Sequence, residues 1–292
     1  MQIATTITSD GFQFSGLLSE PPEKCSTMII HIHGMASDFY SSQFQKIAHE
    51  QYPLHGLAYC SGENRGTHSS TTFKTNDGQV IGGNSFEKLE DSVADIGAWV
   101  DFAHNRGYKH IWLQGDSLGP SKIAYFLDHN KNYSITGAIW ISPSDMYGLV
   151  RDPEGIKDHE LLLPEAKQLV SQEKNIQLLS NKLWEEYYLS AATYLNFFDE
   201  GSAMAIFNYG APELGWDVVN NISVPVIAFT GTKDDGIEPV IEPHEAMRLL
   251  EKQLRNSPKV KTVVFENAAH DFEGFETQII ENTIQFILET GN

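Results

Sequence analysis

The chain has 292 residues, 41% of them hydrophobic, and 20 Lys and Arg against 39 Asp and Glu give a formal net charge of −19. A chain of that length and apolar content buries a large core, which excludes a disordered polypeptide and fits one domain, with or without an insertion. The negative field repels a phosphate backbone and excludes nucleic acid as a partner, and Cys25 and Cys60 are too few for a disulfide framework or a paired zinc site.

The start, MQIATTITSDGF, lacks the basic and apolar regions of a secretory signal, and no run is long enough to span a bilayer. The expected setting is therefore the cytoplasm, with the cysteines as free thiols. Oligomeric state leaves no signature in the sequence.

In chain order, residues 2–8 and 12–19, joined by Asp10-Gly11, predict an opening hairpin at an antiparallel edge. MIIHIH (28–33) predicts a buried strand, followed by a helix over about 39–50 and a strand over 54–60. Residues 61–84, rich in Ser, Thr, Gly and Asn, form either a functional rim or a mobile surface loop. Asn84 and Glu87 have the spacing of a capping box, and Phe86, Leu89, Val93, Ile96, Val100 and Ala103 continue a helical stripe to Gly107. HIWLQG (110–115) predicts a strand that turns almost at once into a helix from Leu118, with Pro120 in its first turn. Residues 135–141, 223–230 and 259–265 predict further strands, and a last helix runs through Phe286 and Leu288.

This alternation defines an α/β class with a mostly parallel sheet and helices on both faces. The stretch between the strands at 135–141 and 223–230 is too long for one crossover helix, so an inserted subdomain over 144–215 is expected. Trp184, Tyr187, Tyr188, Tyr194, Phe197, Phe198, Phe207 and Tyr209 lie within it. They either pack its own core or line a lid over a pocket, and different residues can do each.

The bend at Gly115-Asp116-Ser117-Leu118-Gly119 is a G-x-S-x-G pattern. The bare pattern is weak, but a serine at the apex between a strand and a helix is exposed on a strained turn. A serine hydroxyl needs a base, itself oriented by a carboxylate. Asp234 ends the strand after the insertion and His270 follows the final strand, so Ser117, Asp234 and His270 are the candidate nucleophile, acid and base. Asp235 and Asp145 are substitute positions for the acid. Met35, after His33-Gly34, and Leu118 would supply the two backbone amides that receive an oxyanion. His33 is expected to support that loop, and His31 to be a satisfied core residue. The remaining histidines lack metal-ligand spacing, so no metal and no cofactor are expected.

HIHGM, GDSLG, GTKDD and NAAHDF stand in the order and spacing of the α/β-hydrolase superfamily, which the chain resembles over nearly its whole length. The resemblance implies an esterase- or lipase-like serine hydrolase with Ser117, Asp234 and His270 as triad and Met35 and Leu118 as oxyanion donors. More narrowly, GGNSFEKLEDSVADIGAWVDF, WLQGDSLG and LSAATYLNFF are similar to a microbial branch that includes fungal siderophore esterases. Asp116 departs from the His or Gln that many relatives carry before the nucleophile, which bears on pH optimum and substrate.

The expected function is hydrolysis of a small-molecule carboxylic ester through an acyl-enzyme. A thioesterase or amidase with the same triad is the nearest alternative, and a catalytically silent binding protein on the same fold is the alternative from another class. The net charge disfavours anionic substrates unless basic groups such as Arg65 or Lys74 gather near the pocket.

Overall fold

The computed structural model describes residues 1–153 and 155–291. β1 (Gln2–Ile7) and β2 (Phe12–Ser19) pair antiparallel as the turn at Asp10-Gly11 predicts, and the buried β3 (Thr27–Ile32) follows. α1 (Gln43–Leu54) begins later than the apolar pattern suggests. Asp38 Oδ1 accepts from the amides of Tyr40 and Ser41 and holds a turn there, leaving Ser42 to cap the helix through the amide of Gln45. β4 (Ala58–Gly62) is displaced accordingly, because residues 54–57 finish the helix and a turn.

The polar stretch 61–84 contains a hairpin that its composition concealed. β5 (Thr71–Thr75) pairs with β2 and with β6 (Gly78–Gly82), whose residues are almost all exposed and so carry no apolar alternation. The capping box at Asn84 and Glu87 does not form. α2 (Ser92–Asn105) starts eight residues after Asn84, behind a single 3-10 turn at Leu89–Asp91. Glu87 is instead buried against Lys122, with Oε2 2.8 Å from Nζ. A cap contributes about 1 kcal/mol, whereas a buried charge left without its partner costs about 3–5 kcal/mol; the tertiary pairing wins.

β7 (His110–Asp116) leads directly into α3 (Gly119–His129), with Pro120 in the first turn, and β8 (Gly137–Ile141) comes next. Between β8 and β9 (Val226–Lys233) lie α4 (Met146–Leu149), α5 (Ile156–Ser171), α6 (Ala191–Phe198) and α7 (Asp217–Asn220). α8 (Pro243–Gln253), β10 (Val260–Ala269) and α9 (Glu276–Thr290) complete the chain.

The strands form one sheet in the order β10-β9-β8-β7-β3-β4-β2-β5-β6, with β1 on β2. The six from β10 to β4 are parallel, and β1, β2, β5 and β6 supply the antiparallel end. Successive side chains on a strand face opposite ways. Accordingly Met28, Ile30, Leu113, Trp140 and Ala228 pack with α2, α3 and the segment after β8, while Ile29, Trp112, Ile139, Ile227 and Phe229 pack with α1 and α9. Burial on both faces explains why these strands read as near-continuous apolar runs.

The aromatic group after β8 divides. Tyr194, Phe197, Phe198, Phe207 and Tyr209 are buried and join the main core, Phe207 meeting Trp140 edge-on with ring centroids 5.3 Å apart. Trp184 and Tyr187 are partly exposed and Tyr188 is exposed. No helix among the described residues is long and apolar enough to cross a membrane.

Candidate active site

Parallel strands end on the same side of the sheet, and five neighbouring strands deliver the site there. In spatial order, His270 follows β10, Asp234 follows β9, Ser142 follows β8, Ser117 follows β7, and Met35 lies on the loop after β3. Ser117 occupies the left-handed region at φ 57° and is partly exposed, and its amide donates to Ile141 O at 2.9 Å. A left-handed non-glycine residue in a turn this tight is the strained elbow expected of G-x-S-x-G.

Gly34 sets the approach of the β3 loop to this elbow. A Cβ there would stand 2.8 Å from Ser117 Cβ and 3.3 Å from Leu118 N, so only glycine lets the loop lie against Ser117. Met35 is thereby held beside the elbow, and Leu118 is buried directly after Ser117. His33 supports the loop as expected: it is fully buried, with Nδ1 2.9 Å from Gly34 O and Nε2 2.9 Å from Thr67 Oγ1. Burial, reinforced by the Lys122 charge, pulls its imidazole down to about 3, so the ring is neutral.

Asp234 is completely buried and its Oδ1 lies 2.7 Å from His270 Nδ1. Gly236 N donates to the same oxygen at 3.0 Å, and Thr230 Oγ1 donates to Oδ2 at 3.0 Å. Burial pushes the Asp234 carboxyl up, yet the hydrogen bond and charge of His270, with further donors, hold it below its ordinary value. For His270, burial disfavours the charged ring, but Asp234, then Asp235 and Asp116, raise it above 6.5.

The two substitute acids have different environments. Asp235 is 84% exposed, with Oδ1 3.7 Å from His270 Nδ1. Asp145 is a buried connector that caps α4 through Gly148 N at 2.7 Å and accepts from Gly210 N at 2.9 Å. Burial lifts its carboxyl to about 6.

Asp116 points toward β3, where its Oδ1 lies 3.1 Å from His31 Nε2. His31 is therefore paired to the elbow as well as buried. Burial opposes the Asp116 charge, but the His31 hydrogen bond and charge, followed by His33 and His270, keep its carboxyl low. Arg65 and Lys74 are both placed elsewhere. Arg65 is engaged by Asp10 at 2.8 Å, Asp95 at 2.9 Å and Asp91 at 3.3 Å, and Lys74 is exposed on β5 toward the far end of the sheet.

Sequence reasoning missed a polar network beneath the site. Lys122 Nζ, besides pairing with Glu87, donates to Asn64 Oδ1 at 3.0 Å, and Asn64 Nδ2 donates to His33 O at 3.3 Å. Thr67 Oγ1 donates to Asn64 O at 2.8 Å. The start of the 61–84 segment thus braces the β3 loop. A lysine within the first turns of an otherwise apolar helix face was the one available signal.

Among the described residues, Asp234, Asp235 and His270 form a group whose possible ligand atoms lie within 4.8 Å of one another. Asp234 and His270 already satisfy each other through Oδ1 and Nδ1, which suits an acid-oriented base.

No protein-family profile matches the chain, and no curated protein matches its sequence. Solved structures do match nearly end to end. Est1E from Butyrivibrio proteoclasticus, with ferulic acid bound, is 18% identical at a TM-score of 0.65, over 98% of this chain and 99% of that one. A thermostable carboxyl esterase from Bacillus coagulans in complex with glycerol is 14% identical at 0.65, over 99% and 98%. A monoacylglycerol lipase from Paleococcus ferrophilus is 17% identical at 0.61, over 98% and 100%. With its mixed sheet and its strained serine elbow, this chain has the α/β-hydrolase fold.

Proposed function

We propose that the chain is a serine hydrolase that cleaves a small-molecule carboxylic ester through an acyl-enzyme. The observation that carries this reading is the placement of Ser117, Asp234 and His270 at the ends of parallel strands, with the base hydrogen bonded to a buried carboxylate. Asp234 holds the proton of His270 on Nδ1, which leaves Nε2 free to accept from a nucleophile. Ser117 Oγ attacks the ester carbonyl as Nε2 takes its proton, and the carbonyl oxygen becomes an oxyanion facing the amides of Met35 and Leu118. Collapse of the intermediate expels the alcohol, which receives the proton from Nε2. Water then attacks the acyl-enzyme by the same route and releases the acid and Ser117.

The segment 144–215 is read as a lid inserted into a single catalytic domain. Support comes from Gly210, where a Cβ would stand 2.6 Å from Val240 Cγ1; the segment therefore packs against the stretch that follows Asp234. Among the structural neighbours are a carboxyl esterase and a monoacylglycerol lipase, which agrees with an ester substrate.

A fluorophosphonate probe tests the nucleophile. Labelling of the folded wild type that disappears in Ser117→Ala is the expected result, and labelling that persists in the variant would refute the assignment. A panel of esters, thioesters and amides of graded acyl length, assayed with wild type and Ser117→Ala, separates the ester reading from its two mechanistic alternatives.

A further inference from the structure

β8 is the strand between those that carry Ser117 and Asp234, and its C-terminal side chain is interposed between them. That residue is Ser142, fully buried and held in the left-handed region at φ 51°. Such backbone is sparsely populated for a residue with a side chain and persists only where the surroundings over-determine it. Here they do. Ser142 N donates to Phe229 O at 2.8 Å on β9, and Ser144 Oγ donates to Ser142 O at 3.1 Å. The result places Ser142 Oγ 2.9 Å from His270 Nδ1, the same nitrogen that Asp234 Oδ1 approaches to 2.7 Å.

One nitrogen cannot serve two partners equally. Asp234 is ionised and accepts only, so the productive arrangement keeps the proton on Nδ1 and directs it to Oδ1. Were the Ser142 hydroxyl to donate to Nδ1 instead, the imidazole proton would move to Nε2, and the ring could no longer take a proton from Ser117. The hydroxyl proton is therefore directed away from Nδ1, with Ser144 Oγ 3.4 Å away to receive it, leaving the oxygen lone pair to face the Nδ1 proton.

We infer that Ser142 is a positioning residue for the base: its hydroxyl oxygen accepts at His270 Nδ1 beside Asp234 Oδ1, and fixes both the rotation of the ring and the tautomer that accepts at Nε2. This role rests on the triad reading above. It adds a fourth side chain, from the strand that the G-x-S-x-G, GTKDD and NAAHDF motifs leave without one.

The test compares Ser142→Ala, which keeps a Cβ on the left-handed backbone, with Ser142→Gly, which relieves it; both remove the hydroxyl. The readouts are hydrolysis of p-nitrophenyl butyrate, the second-order rate of fluorophosphonate labelling, and the low-field proton resonance of His270 Nδ1. Both variants are expected to lose about tenfold in kcat and in labelling rate, with KM within about twofold, as follows from losing one charge-assisted hydrogen bond. The Nδ1 resonance is expected to shift, because its proton is no longer shared. A folded Ser142→Gly with wild-type kcat, or with an unmoved resonance, would overturn the role of Ser142 alone. Failure of the wild type to label at Ser117 would overturn the triad, and this role with it.

Discussion

Lys122 Nζ and Glu87 Oε2 stand 2.8 Å apart with both side chains 3% exposed, directly beneath the loop that carries Met35. Breaking such a pair leaves one buried charge without a partner. Lys122→Met is expected to lose roughly 3–5 kcal/mol of stability in urea unfolding, from that term alone. At temperatures where it stays folded, turnover is expected to fall with little change in KM, because Asn64 loses the donor that fixes it under His33 O. Wild-type stability in this variant would show that the pair is solvated and that the loop is braced by other means.

Asp234 and Asp235 are neighbours in sequence and opposites in environment. The first is buried with three donors on its oxygens, and the second is 84% exposed. Asp234→Asn puts an amide against Nδ1 and favours the wrong tautomer, for which a loss of about 10⁴ in kcat is the reference magnitude in serine hydrolases. Asp235→Asn removes a screened surface charge and is expected to change kcat by less than about threefold. The reverse ranking in steady-state kinetics would transfer the acid role to Asp235.

These two carboxylates also show where a single sequence stops being legible. Ser117 and Asp234 can be placed because each follows a strand buried on both faces, which prints itself as an apolar run ending at a loop, and His270 because it follows the shorter apolar run of the half-buried edge strand β10. The order β10-β9-β8-β7-β3 does not appear in the chain, so the place of Ser142 between Ser117 and Asp234 was invisible. Glu87 matched a local capping pattern that its distant partner Lys122 overrode. The β5–β6 hairpin escaped for the opposite reason: an exposed strand buries too little to leave a period. Local signals thus point to the candidate reacting groups, whereas the groups that hold them depend on contacts far apart in sequence.

His270 responds to charges from two places, the loop after β9 and the end of β7. Burial alone would lower His270, but the Asp234 hydrogen bond and charge, and the charges of Asp235 and of Asp116 on the elbow, hold it above 6.5. A general base must be neutral, so kcat/KM is expected to fall as pH drops through a value above 6.5, lying to the alkaline side of an ordinary histidine. Asp235→Asn and Asp116→Asn each remove a charge that favours imidazolium, and each is expected to move this acid limb to lower pH. Added salt should shrink the shift on removing exposed Asp235 more than that on removing Asp116, which is held against His31. An acid limb that stays in place in both variants would show that Asp234 alone sets the base.

His49 provides a pH effect on stability that is separate from catalysis. Its ring is buried between Ser19 and Ser61, with Nδ1 2.9 Å from Ser19 Oγ and Nε2 2.8 Å from Ser61 Oγ. Burial, with a smaller contribution from the charge of His31, depresses it to about 4. In the unfolded chain the same ring titrates near 6.5, as a rough reference. Between these values the unfolded state binds a proton that the folded state refuses. The stability from a neutral His49 is therefore fully present above about pH 6.5 and is lost as pH falls toward 4, at roughly 1.4 kcal/mol per pH unit for one proton. His49→Gln keeps a donor and an acceptor near the two hydroxyls and does not titrate. Its unfolding free energy, measured by urea titration at pH 7.5, 6 and 5, is expected to fall less steeply than that of the wild type by about one proton. Parallel curves for the two proteins would mean that His49 becomes charged within the fold, and that the acid sensitivity arises at His33 and His159, which burial also depresses.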